Sequence, residues 1–77
     1  MVNVTDSNGK FLGFFDGNSI RDKEGVIIYW ISDGDVYVPF KYVDENLTNF
    51  NKDQFLRIGE YVEGKCIDNN EVIFIVG

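Results

Sequence analysis

Short apolar runs alternate with Asp-led polar turns, and the alternation repeats along the chain. Val4-Thr5-Asp6-Ser7-Asn8-Gly9-Lys10-Phe11-Leu12 recurs sixteen residues on as Ile20-Arg21-Asp22-Lys23-Glu24-Gly25-Val26-Ile27-Ile28, and near the end as Cys66-Ile67-Asp68-Asn69-Asn70-Glu71-Val72-Ile73-Phe74. Each copy reads as an apolar strand, a turn and a second apolar strand, so the pattern predicts a fold assembled from one kind of hairpin. Val4, Ile20, Val36 and Cys66 fall at equivalent positions, separated by 16, 16 and 30 residues. The second strands align Leu12, Ile28, Ile58 and Phe74 in a matching column. There are therefore four copies, the third carrying a 14-residue insertion within 39–54 in place of the tight turn.

Turn chemistry supports strands on both sides of each break. Asp6-Ser7-Asn8-Gly9 and Asp22-Lys23-Glu24-Gly25 put Asp where its carboxylate accepts turn N–H groups and Gly where positive φ is needed, as in a type I turn with a glycine bulge. Asp68-Asn69-Asn70-Glu71 lacks the Gly, which implies a different turn. Between copies, Asp16-Gly17, Asp33-Gly34 and Glu63-Gly64 are hairpin signals. The expectation is an all-β fold of about eight up-and-down antiparallel strands, near 2–5, 10–16, 18–22, 26–32, 35–38, 55–62, 65–68 and 71–76, forming one domain over 1–77. Any helix is confined to 43–54.

Strict alternation gives the longer strands two apolar faces. One carries Val26, Ile28, Trp30 and Val72, Phe74, Val76; the other carries Ile27, Tyr29, Ile31 and Ile73, Ile75. A half-exposed antiparallel sheet has one polar face, so these strands call for cover on both sides, from the chain itself or from another subunit. The column Leu12, Ile28, Ile58, Phe74 is expected to form the core, with Val4, Ile20, Val36 and Cys66 packed nearby.

The run Gly13-Phe14-Phe15-Asp16-Gly17-Asn18-Ser19-Ile20-Arg21-Asp22, followed by Gly25-Val26-Ile27-Ile28-Tyr29-Trp30-Ile31 and Val36-Tyr37, resembles the small bacterial domains called four-fold β-flower proteins. The resemblance implies hairpin repeats around a pseudo-four-fold axis. The shared residues are turn formers and apolar positions, and the resemblance implies no catalytic residues.

Composition narrows the function more than any motif does. A chain of 77 residues has room for one core and buries only roughly 60% of its unfolded surface. The high aromatic share, 16%, favours a packed domain over disorder. A net charge of −6 repels phosphate backbones and anionic lipid, which argues against nucleic-acid and membrane partners. One cysteine allows no intramolecular disulfide, and the sequence shows no leader or long apolar run, so a cytoplasmic location is expected. The Asn3-Val4-Thr5 and Asn46-Leu47-Thr48 sequons then have no glycosylating context.

Candidate chemistry is sparse. With no His and one Cys the chain cannot build a Ser-His-Asp or Cys-His constellation or a His-ligated metal site. Paired carboxylates would suffice for glycosidase-type chemistry, but a repeat fold of this size has little room for a substrate cleft as well as a core. Asp6, Asp22 and Asp68 resemble pieces of calcium loops, yet the twelve-residue loop with its distal Glu is absent and turn formation explains them. Cys66 reads as a small core residue, and no catalytic residue, metal or cofactor is expected.

The insertion breaks the repeat with aromatic residues, Phe40, Tyr42 and Phe50, set among polar ones. It is either a binding loop or a cap on the core. Phe40, Tyr42, Phe50 and Trp30 are the candidate binding residues. Two function classes follow: a non-enzymatic binding or assembly module with a protein partner or self-association, as in a homo-oligomer, or a small acidic inhibitor or immunity-type protein that blocks a basic partner surface. A third, carbohydrate stacking on Trp30 and Tyr residues, requires an exposed Trp30.

Overall fold

The computed structural model describes residues 1–40 and 50–77. Eight strands close into an antiparallel barrel in chain order: β1 (Val2–Thr5), β2 (Phe11–Phe15), β3 (Ser19–Arg21), β4 (Ile27–Ser32), β5 (Asp35–Pro39), β6 (Phe55–Val62), β7 (Lys65–Asp68) and β8 (Glu71–Val76). β8 returns to β1, pairing Val4 with Val76 and Thr5 with Ile75. Within the expected helical stretch a 3-10 turn spans Lys52–Gln54, held at its start by Asn51, whose side-chain oxygen accepts the Asp53 N–H at 3.0 Å.

The two Asp-led turns are the same structure twice. Asp6 Oδ1 accepts the N–H groups of Asn8 and Lys10 at 2.9 Å each, and Asp22 Oδ1 accepts those of Glu24 and Val26 at 2.9 and 3.0 Å. Gly9 and Gly25 close them at φ 84° and 87°. The fourth turn departs from this form as its sequence implies. Asn69 and Asn70 both take positive φ, 50° and 65°, which makes a two-residue hairpin turn between the paired Asp68 and Glu71.

Every hairpin carries a β-bulge at the same place. The register slips after Val4, Ile20, Val36 and Cys66, leaving Leu12, Ile28, Ile58 and Ile73 as the extra residue on the facing strand. A bulge breaks the two-residue alternation and re-aims the side chains beside it. The faces expected from strict alternation are accordingly wrong. Ile28, Tyr29 and Ile31 pack on the inner core, whereas Ile27 and Trp30 belong to a separate cluster. In β8, Ile73, Phe74 and Val76 share the inner side, not Val72, Phe74 and Val76. The period over each second strand is out, in, in, out, in.

The same slip corrects the core column. Cys66 pairs with Phe74 where Val4 pairs with Gly13, Ile20 with Tyr29 and Val36 with Gly59, so Phe74 is equivalent to those three residues and Ile73 is the true counterpart of Leu12, Ile28 and Ile58. The shorter fourth turn removes one residue and displaces the alignment. Val4, Ile20, Val36, Cys66 and Phe74 form the fully buried centre, and Leu12, Ile28 and Ile58 are half-buried against it. The expected roles of the two columns are thus exchanged, Phe74 excepted. The residues paired with Val4, Ile20, Val36 and Cys66 alternate in size around the barrel: Gly13 and Gly59, between Tyr29 and Phe74. The two rings meet at 4.7 Å between centroids.

Candidate functional site

Outside the inner barrel, the residues that the bulges turn outward define four related surfaces. Each joins two residues of a second strand to one from the next hairpin, through the cross-strand pairs Phe14–Arg21, Trp30–Tyr37, Glu60–Ile67 and Ile75–Thr5. The surfaces are therefore built from Phe11, Phe14 and Arg21; from Ile27, Trp30 and Tyr37; from Arg57, Glu60 and Ile67; and from Val72, Ile75 and Thr5. They share a backbone and differ in chemistry. The third is charged, and Arg57 Nε holds Asp35 Oδ1 at 2.9 Å beside it, an exposed pair of little energetic weight.

The second surface is covered by the chain itself. Ile27, Trp30 and Phe55 are buried together, with Tyr37 and Phe50 packed on them. Phe50 lies 6.2 Å from Trp30 in a stacked arrangement, 4.6 Å from Tyr37 and 5.1 Å from Phe55, centroid to centroid. The base of the insertion is tied by the Phe40 N–H, which donates to the Gln54 carbonyl at 3.0 Å.

These positions sort the expected binding residues. Trp30 is 3% exposed, so it is a core residue and offers no ring face on which a sugar could stack. Cross-strand pairing with Tyr37 sets it beneath Phe50 and Phe55. Phe50 is half-buried as part of the same cover. Phe40 is 56% exposed, and Tyr42 lies outside the described residues. Sequence reasoning passed over Phe11 and left the facing of Phe14 open; the two rings lie 5.2 Å apart edge to face, with Phe11 42% exposed. Their signal was present in the equivalence of Phe11 and Phe14 with Ile27 and Trp30, but strict alternation hid it.

Polar groups form local networks. Buried Ser19 donates its hydroxyl to Asp16 Oδ2 at 2.8 Å, while Asp16 Oδ1 accepts the N–H groups of Ser19 and Asn18 at 2.9 and 3.1 Å. Arg21 Nε lies 3.5 Å from Asp16. Burial pushes the Asp16 carboxyl up, but the Ser19 and Asn18 N–H groups, the Ser19 hydroxyl and Arg21 outweigh it and hold the group below its ordinary value. A carboxyl depressed in the fold stabilises it fully above the unfolded-state pKa, and that contribution is lost as pH falls through the lower folded value. Asp16→Asn should therefore lower the urea midpoint at neutral pH, with the gap from the parent narrowing toward about pH 2, below the usual carboxylate range. A gap that stays constant with pH would exclude this role for the charge.

Cys66 is buried, and its burial pushes the thiol up to about 11, with Asp68 adding to the rise and Arg57 opposing it. At neutral pH it is a protonated core thiol. Among the described residues no cluster of three or more His, Cys, Asp or Glu is arranged to hold a metal ion. Scans against protein-family models, curated proteins and solved structures found no match to this chain. The fold therefore is an all-β hairpin-repeat barrel with four related outer faces, one of which is covered by the chain's own Phe50 and Phe55.

Proposed function

We propose that this chain is a small, non-enzymatic binding and assembly module that works through protein contacts in the cytoplasm. The observation that supports the reading is the set of large apolar side chains left on the outside of a barrel whose interior is already filled: Phe11, Val26, Phe40, Leu56 and Val62 are all exposed. The ring of four hairpins with a common register also supports placing the chain beside the four-fold β-flower proteins, and the single buried thiol suits a reducing compartment. Size-exclusion chromatography with light scattering at micromolar concentration tests the assembly part. Self-association gives a mass that is a multiple of 8.8 kDa, and a strict monomer removes assembly and leaves the binding of a different chain.

A second reading, an acidic inhibitor that blocks a basic surface, is favoured by the net charge of −6. It requires binding that weakens steeply as salt rises, and salt-insensitive binding rules it out.

A further inference from the structure

The four outer surfaces share one geometry, so the covered one shows what fits an uncovered one. Over Ile27 and Trp30 the cover consists of Phe55 from β6 and Phe50 from the end of the insertion. The hairpin register makes Gly25 the counterpart of Phe55, since Gly25 precedes Ile27 as Phe55 precedes Arg57, opposite equivalent residues of the first strand. The second hairpin thus has no side chain where the third has a phenyl ring, and a five-residue turn where the third has its insertion. Phe11 and Phe14 lie on the neighbouring strand, and among the described residues nothing equivalent to Phe50 or Phe55 packs on them. Ile27 is 4% exposed and its counterpart Phe11 is 42% exposed. Beside this surface, sharing Phe11, is an open cleft of about 210 Å³ lined by Phe11, Leu12, Asp22, Lys23 and Glu24.

We infer that this cleft is a docking site for a segment of another protein that presents an aromatic side chain next to a basic residue. The aromatic part follows from Phe50 and Phe55, which pack in one cluster with Ile27, the register counterpart of Phe11 on this lining. Charge complementarity supplies the basic part. Two carboxylates, Asp22 and Glu24, outnumber the single ammonium of Lys23 on the lining, and the whole chain carries −6. A second copy of so acidic a chain meets like charge at this rim, which disfavours it as occupant. The aromatic ring packs on Phe11 and Leu12, and the cation faces Asp22 and Glu24. The inference rests on the binding-module reading and names the partner's chemistry.

The test uses the full chain, isotope-labelled, titrated with an acetylated and amidated Lys-Gly-Phe-Gly-Lys peptide and followed by amide chemical shifts. Shifts concentrated at Phe11, Leu12, Phe14 and residues 22–24 are expected. Peptides with Phe→Ala or with both Lys→Glu should bind at least about tenfold more weakly, the scale of losing an anchor residue. Phe11→Ala removes a partly exposed ring and should weaken binding about as much while keeping the dispersed spectrum of a folded chain. Lys65→Gln, an exposed position on β7, should leave binding unchanged. Equal binding of the three peptides, or shifts centred elsewhere, overturns the inference. Oligomers in light scattering alongside such a result would retain the module reading and reject only the cleft.

Discussion

Phe74→Ala is expected to cost about 3–5 kcal/mol, the range for deleting a fully buried aromatic ring and leaving its cavity. Phe74 has no exposed surface and fills the barrel centre against Tyr29 and the ring of Val4, Ile20, Val36 and Cys66. Its neighbours cannot collapse into the space, because their backbones are held apart by the closed hydrogen-bonded barrel. A domain of this length has a total stability of about 4–12 kcal/mol, so the loss ranges from about a quarter of it to the whole. Urea denaturation followed by the fluorescence of buried Trp30 measures it, and a loss below about 1 kcal/mol would show that the centre is less tightly packed than its burial implies.

Gly13→Ala should cost a comparable amount, about 3 kcal/mol or more, by the opposite mechanism. A Cβ on Gly13 would collide with the carbonyl of Arg21 on β3, and it would also lie 3.2 Å from the Asp22 Cα. All of the colliding atoms are backbone, so relief requires β2 and β3 to separate where Phe14 pairs with Arg21. Gly59→Ala meets the Ile67 carbonyl oxygen at 2.7 Å and the Cys66 sulfur at 3.2 Å, a milder conflict. The expected order of urea midpoints is parent, Gly59→Ala, Gly13→Ala. Equal midpoints for all three would exclude the close approach of these strands.

The hairpins were legible because their information is local. Asp and Gly at fixed spacing define a turn from a handful of adjacent atoms, so eight strands and most of their bounds follow from the residues between them. The bulges were not legible. Nothing in Phe11-Leu12-Gly13-Phe14-Phe15 marks Leu12 as the extra residue until the facing Val4 and Thr5 are known, and reading β2 or β4 with a period of two mixes inward and outward side chains. Phe74 was misaligned for a related reason: a two-residue turn and a three-residue turn both satisfy the chain locally, and the difference is absorbed in the strand.

The candidate site depended still more on distant pairing. Trp30 reads as a conspicuous aromatic in sequence, and its burial is decided by Phe50 and Phe55, twenty or more residues away. Phe11 drew no notice because its significance lies in a comparison with Ile27, one hairpin further on. Gly25 is legible as a turn residue, but its second effect, the space left where Phe55 stands in the third hairpin, requires the register of both.

All eight strands are hydrogen-bonded to neighbours on both sides, since β8 closes on β1. A partner cannot add a strand to this sheet, which is how many small β domains take up peptides with little regard to sequence. On the proposed binding role, recognition falls to the side chains on the outer surfaces and the turn tips, where one backbone carries four different residue sets, the second buried beneath Phe50 and Phe55. Substitutions on the others change what the chain presents while the ring of Val4, Ile20, Val36 and Cys66 stays as it is. The barrel is in this sense a fixed frame with independently variable labels.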